Sequence, residues 1–425
     1  LLKLLLFWST SMKLLVYSHD TFGLGNIRRM LAICEYLLET LPNLSILLVS
    51  GSAQLTCFRL PQGLDTLKLP CMRRDLAGEL SPKSLGTSAE DLVRIRTDLI
   101  RSVVMNFQPD VLLVDKKPSG ISGELIPALQ ALHQELPASR CVLLLRDILA
   151  SPEITMAEWQ QQGASEAIRR WYDQIWVVGS PEVFDLRSEY QLPSDIAEKV
   201  KFCGYIRKPA SSKPVAQVRQ MLGIQEQPMV LVTPGGGEDG YALIESYLQG
   251  LAMLPADLCL HSVVVMGPEL PLSQQQHLIQ LAQPHPRVQM LEFSADLISL
   301  MQSAQCVVSM AGYNTTCEIL SLAKPAVVVP RIKPVQEQWM RAERLSQLGL
   351  LQAIHPQDLT PNTLIQAVLT RLTQPSPVVH LDMRGLPRIA ELLAGLLPPT
   401  NPVFPTYAWA DRPALRLDRL QALTA

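Results

Sequence analysis

A histidine and an aspartate directly follow a short apolar run. KLLVYS (13–18) leads into His19 and Asp20, and then into Gly23, Gly25 and Asn26. A histidine at a strand end can take a proton from a hydroxyl, and Asp20 or another carboxylate can hold its ring. Gly23 and Gly25 permit positive φ and close backbone approach. The helix that follows points free amides at an anion, and Asn26 suits its cap. A plain turn with a solvated histidine would use the same residues, so other loops must decide.

The second loop is TPGGGEDG (233–240). Gly235, Gly236 and Gly237 follow a buried-looking strand, and backbone amides of such a run suit a phosphate. Glu238 and Asp239 would repel a phosphate beside them, so they are expected as helix caps facing away. This is neither a Walker loop nor a dinucleotide fingerprint, because neither spacing is present. The third loop opens SMAGYNTTCEILSLAKP. Gly312 gives a close turn, Asn314 to Thr316 are cap-type residues, and Glu318 sits one turn into the helix. A carboxylate there can accept both hydroxyls of a ribose while the helix N-terminus faces a diphosphate. Farther on, Gln336, Glu337 and Gln338 open a helix with side chains suited to a polyhydroxylated ligand.

Such loops need buried strands to hold them. The runs 13–18, 45–51, 110–115, 141–147 and 175–180 alternate with helical patterns in the first half of the chain. The runs 229–233, 261–267, 305–310 and 326–330 do so in the second. They are continuous rather than alternating, so each strand is expected to be buried on both faces, in doubly wound parallel α/β sheets. Between 27 and 40, Ile27, Met30, Leu31, Cys34, Leu37 and Leu38 recur at helical spacing, with Arg28, Arg29, Glu35 and Glu39 mostly elsewhere. RKPASSKPVAQ marks a linker near 206–214. The expected organisation is an acceptor-side domain over 12–205, a donor domain over 206–385, and a terminal helix with a proline-rich tail over 386–425. Two such domains leave a ligand cleft at the carboxyl ends of their strands.

The chain has 425 residues, 48% of them hydrophobic, and a formal charge of −2, which argues against nucleic acid as a partner. Eight scattered cysteines without zinc spacing fit a reducing cytoplasm. No apolar run reaches the ~18–20 residues of a membrane span. LLKLLLFWSTS is too short for a signal core, and Met12 is the expected start, with a membrane-touching extension as the alternative. Arg73, Arg74, Lys83, Arg94, Arg96 and Arg101 concentrate positive charge, and Lys116 and Lys117 follow a strand end. These could face an anionic acceptor or a membrane surface, or form an ordinary solvated face.

AGYNTTCEILSLAKPAVVVP, the following EQWMRA, and GGGEDG resemble the carboxyl-terminal donor domain of the family 28 glycosyltransferases. That family includes the N-acetylglucosaminyltransferase of the peptidoglycan precursor. YSHDTFGLG, LVDKKPSG (113–120), LLRDIL (144–149), GSPEVFD (179–185) and FCGYI (202–206) resemble a bacterial set of predicted glycosyltransferases. The resemblance implies a GT-B fold, two Rossmann-like domains facing across a cleft. It implies transfer of a hexose or N-acetylhexosamine from a nucleotide diphosphate to an acceptor hydroxyl, without a cofactor or an essential metal. By matching position, Glu318 would bind the ribose, and Gly312, Tyr313, Asn314 and Thr315 would surround the diphosphate near Gly235–Gly237. Glu337 and Gln338 would contact the sugar. Phe293 and Ser294 match the place where the family's backbone reads uracil, which makes UDP the expected nucleotide.

Asn26 stands where the family has a histidine after its glycine loop. His19 and Asp20 are therefore the expected catalytic pair. The acceptor is expected to be lipid-linked or anionic, with the protein cytoplasmic and peripheral at the inner membrane face. A nucleotide-sugar epimerase or hydrolase of the same fold is the enzymatic alternative. A nucleotide-sugar-binding protein with altered catalysis is the alternative from another class.

Overall fold

The computed structural model describes residues 12–19, 25–53, 55, 58–74, 80–237, 239–255 and 258–396. The amino-terminal half runs β1 (Met12–Ser18), α1 (Gly25–Thr40), β2 (Leu44–Ser50), β3 (Leu64–Lys68), β4 (Met72–Arg74), β5 (Leu80–Pro82), α2 (Ala89–Phe107) and β6 (Val111–Asp115). It continues with α3 (Ile126–Glu135), β7 (Arg140–Arg146), α4 (Pro152–Gln161), α5 (Ala164–Trp171), β8 (Gln174–Val178), α6 (Leu186–Glu189), α7 (Ser194–Ala197) and β9 (Val200–Phe202). Seven of these strands form a parallel sheet in the order β3-β2-β1-β6-β7-β8-β9, and β4 and β5 form a small antiparallel ribbon.

The second half runs α8 (Val215–Met221), β10 (Met229–Thr233), α9 (Tyr241–Leu251), β11 (His261–Val265), α10 (Leu272–Ala282), β12 (Val288–Leu291), α11 (Leu297–Ser303) and β13 (Cys306–Ser309). Then follow α12 (Tyr313–Ser321), β14 (Ala326–Val328), α13 (Glu337–Gln347), β15 (Gln352–Ala353), α14 (Pro361–Thr373) and α15 (Gly385–Leu396). Its six strands are also parallel, in the order β12-β11-β10-β13-β14-β15. In both sheets the order reverses beside the first strand, which opens a crevice at the carboxyl ends.

The continuous apolar runs follow from burial on two faces. Along β1, Leu14 and Val16 enter one core while Leu15 and Tyr17 enter another. The first core also takes Met229, Leu231, Val307 and Val328 of the second sheet, so one apolar layer is shared between the halves. A third core fills the outer side of the second sheet around Tyr247 and Leu364. Helix α1 buries Ile27, Met30, Leu31, Cys34 and Leu37 as its spacing requires, but it also buries Arg29. Helix α15 returns to pack on α1. Among the described residues no helix is long and apolar enough to cross a membrane.

Between the sheets lies a fully buried ion pair. Arg341 of α13 donates to both oxygens of Asp147, just past β7, at 2.7 and 2.8 Å. Tyr205 Oη donates to the same carboxylate at 3.0 Å, and Arg341 Nη1 donates to the Ala311 carbonyl at 3.2 Å. Tyr313 stacks on Tyr205, lies against both Arg29 and Arg341, and donates its hydroxyl to the Val178 carbonyl at 3.0 Å. Removing one member of such a pair strands the other charge in the interior. Asp147→Asn is expected to lower unfolding stability by about 3–5 kcal/mol. The double substitution Asp147→Leu with Arg341→Met should cost less than either single change, as read from urea unfolding midpoints.

Candidate active site between the two sheets

His19 follows β1 and is 4% exposed. Its neighbour across the sheet is β6, paired in parallel so that Tyr17 faces Val114. That register brings Asp115, at the end of β6, beside the histidine: Nδ1 lies 3.5 Å from Asp115 Oδ2. This is ion-pair distance but not a hydrogen bond. Arg29 reaches in from the first turns of α1 and donates to Asp115 Oδ1 at 2.8 Å. Burial alone would raise the Asp115 pKa, but Arg29, then His19, outweigh it and hold the carboxyl well below the usual range. Burial lowers the His19 pKa below 6.5, against the opposing pull of Asp115. The ring is therefore neutral at pH 7. A fixed carboxylate beside Nδ1 favours the proton there and leaves Nε2 as the acceptor. Nε2 is buried and has no hydrogen-bond partner among the described residues.

Asp20 and Gly23, expected in this loop, lie outside the described residues. Asp115 is the carboxylate the structure places at the ring. Asn26 is not a cap: it lies inside α1, where its Oδ1 accepts from Arg29 Nη1 at 3.2 Å. Gly25 faces the second half, its carbonyl accepting from Asn314 Nδ2 at 3.0 Å.

On the second sheet the glycine loop has a packing reason that the sequence reading missed. A Cβ on Gly237, at φ +102°, would lie 2.6 Å from the Met266 carbonyl, and one on Gly267 would lie 2.5 Å from the Gly236 carbonyl. The Gly235–Gly237 loop and the loop after β11 thus pack backbone on backbone, joined by Glu269 N donating to Gly236 O at 2.9 Å. Glu238 lies outside the described residues. Asp239 does not cap α9 or face away: Gly240 holds the cap position, and Asp239 accepts from Arg331 Nη1 at 3.2 Å. Arg331 also reaches Glu337 at 3.9 Å, and its backbone N–H donates to Gln338 Oε1 at 3.3 Å. Loop, arginine and the two sugar-contact candidates form one group. Glu337 is 3% exposed, and its Oε2 has no partner among the described residues.

Gly312 caps α12, and a Cβ there would meet nothing within 4 Å, so the space beside the cap is clear. Tyr313, expected beside a diphosphate, instead points across to Val178 in the interface described above. Thr315 is half-buried beside it, and Thr316 Oγ1 is buried without a partner among the described residues. Glu318 is half-buried; burial raises its pKa, opposed by Lys208 and Arg28. Phe293 is exposed, and Ser294 accepts from the Asp296 N–H at 3.3 Å. The positive patch expected on the amino-terminal half is partly internal. Arg96 is fully buried against Glu124, and Arg94 and Arg101 pair with Asp91 and Glu135.

Residues 229–380 match the family described as the glycosyltransferase family 28 C-terminal domain. The carboxyl-terminal half is similar to such domains, and the chain as a whole has the fold of GT-B structures. An uncharacterized glycosyltransferase of Methanopyrus kandleri is 28% identical over 238 residues, 54% of this chain and 63% of its own length. The chain thus spans less than two thirds of that relative. The UDP-N-acetylglucosamine--N-acetylmuramyl-(pentapeptide) pyrophosphoryl-undecaprenol N-acetylglucosamine transferase of Lactococcus lactis is 23% identical over 348 residues, 81% of this chain and 86% of its own. The structure of MurG from Acinetobacter baumannii superposes with a TM-score of 0.59 at 16% identity, covering 90% of this chain and 99% of that one.

The His19 environment has a direct readout. In a ring-proton NMR titration, His19 should titrate below pH 6.5, and in Asp115→Asn lower still, because a raising charge is removed. Since its folded pKa lies below the unfolded value near 6.5, the stability it contributes is full above that pH and is lost as pH falls.

Proposed function

We propose that this chain transfers a hexose or N-acetylhexosamine from a nucleotide diphosphate, with UDP as the nucleotide, to an acceptor hydroxyl. The observation that carries the reading is the pairing of two half-sites. The half that matches the family 28 domain carries Glu318, Glu337 and Gln338, and the facing sheet carries a neutral histidine whose Nε2 has no hydrogen-bond partner among the described residues. Lys116 connects the two, since its charge acts on both His19 and Glu337.

In the step, the acceptor oxygen forms a bond to the anomeric carbon. The bond from that carbon to the diphosphate oxygen breaks, and the electron pair leaves with the diphosphate. The acceptor proton passes to His19 Nε2, and Asp115 stabilises the imidazolium that forms. Charge gathering on the diphosphate is met by the first amides of α12 beyond Gly312 rather than by a metal. Glu318 holds the ribose, Glu337 and Gln338 hold the sugar hydroxyls, and the backbone at Phe293 and Ser294 reads the base. A lipid-linked acceptor is supported by the Lactococcus relative, a transferase acting on a pyrophosphoryl-undecaprenol, and a cytoplasmic protein would meet it at a membrane face.

His19 with Asp115, and the buried carboxylate of Glu337, would also suit an epimerase or hydrolase acting on a nucleotide sugar. Incubation with UDP-sugars alone separates the two: a donor that stays intact until an acceptor is added supports transfer. Calorimetry with UDP, GDP and TDP should show selective binding of UDP. Glu318→Ala should weaken it roughly tenfold or more, about the loss of one charge-assisted hydrogen bond, without lowering the melting temperature. Unchanged UDP affinity would remove the donor-site assignment. His19→Gln should lower kcat by roughly 10²–10⁴-fold with little change in donor affinity.

A further inference from the structure

We propose that Lys116 and Arg146 form a seat for a phosphate-class dianion of the substrate, beside His19 in the cleft. The inference rests on the transfer reading and names a charged group that the substrate must carry.

The two residues leave adjacent parallel strands at their carboxyl ends. Asp115 faces Leu144 in the β6–β7 register, and the Lys116 N–H donates to the Leu144 carbonyl at 2.9 Å. Lys116 sits at φ 66°, a left-handed conformation that lysine rarely adopts, which is the kind of backbone strain that collects at ligand sites. Four other cations near them are matched. Arg29 pairs with Asp115, Arg341 with Asp147, Arg331 with Asp239, and Lys117 with Glu158. Among the described residues, Lys116 and Arg146 have no side-chain hydrogen bond and no ion pair. Arg146 Nε is buried without an acceptor. A buried donor without an acceptor is uncommon in folded proteins, and one carried by the second of two unmatched neighbouring cations describes a place for an anion.

Electrostatics supports the same reading. Burial, then Arg146 and Lys117, lower the Lys116 pKa to about 7, while Asp115 and Glu337 pull the other way. Burial, then Arg29 and Arg341, also lower Arg146. A dianion seated between them would relieve this repulsion and draw a proton onto Lys116. It could come from the acceptor's own phosphate or from the donor's diphosphate.

Sulfate tests the seat, because it remains a dianion throughout the neutral range. Calorimetry on the full chain at pH 8, in buffers of different ionisation enthalpy, should show sulfate binding with uptake of about one proton. Lys116→Asn, which tolerates the left-handed backbone, should abolish the uptake and weaken binding at least tenfold. Arg146→Gln should weaken binding as much, whereas Lys116→Arg should retain it. Sulfate binding that survives saturating UDP assigns the seat to the acceptor, and displacement by UDP assigns it to the donor diphosphate. Absence of sulfate binding to the wild-type chain, or binding untouched by both neutralising variants, overturns the proposal. The UDP affinity of Glu318→Ala reports the donor site separately, so failure of the seat and failure of the transfer reading are distinguishable.

Discussion

The buried pair between Asp147 and Arg341 is the constraint on which the arrangement of the two sheets depends. Each partner is fully buried and comes from a different sheet. Such a pair contributes little net stability against an apolar replacement, yet it tolerates very few relative positions of its two carriers. Its surroundings are built to that tolerance. Tyr205 supplies a third hydrogen bond to the carboxylate. Gly179 carries no side chain where a Cβ would lie 2.6 Å from that of Asp147. Tyr313 fills the space beside the guanidinium and ties α12 to the end of β8. The segment before α15 then returns to the Tyr205 backbone, with Tyr205 N donating to Asp382 O at 2.7 Å.

Four short stretches that lie far apart in the chain meet around this site. LVDKKPSG supplies Asp115 and Lys116, LLRDIL supplies Arg146 and Asp147, GSPEVFD is preceded by the β8 end at Val178, and FCGYI supplies Tyr205. Their common feature is position: each follows the carboxyl end of a strand in one sheet. Parallel pairing aligns those ends although tens of residues separate them in sequence.

The central strands were legible because burial on both faces leaves an unbroken apolar run, as in VLLVD and CVVS. The edge strands were not. Val200–Phe202, Val288–Leu291 and Gln352–Ala353 are short and only partly buried, so hydropathy scarcely marks them. His19 was legible as a residue at a strand end. Its partner was not, because Asp115 becomes its neighbour only through the β1–β6 register, and Asp20 next in sequence offered a simpler choice. The glycine run misled for a related reason. The backbone it packs on belongs to Gly267, in another loop, and the nearby acids read as caps until Arg331 was seen to pair with Asp239. Arg96 looked like surface charge because the sequence does not announce a buried glutamate 28 residues away.

The two halves of the site are not independent of the pair that closes them. Glu337 and Arg341 are one turn apart on the same face of α13, and both are buried toward the opposite sheet. A helix moves as a rigid element, so these two side chains cannot be repositioned separately. With Arg341 bound to Asp147, Glu337 is near enough to Lys116 and Arg146 to act on both charges. His19 is held in the other half by Asp115 of β6 and Arg29 of α1, so the two groups of candidate residues are positioned by different sheets.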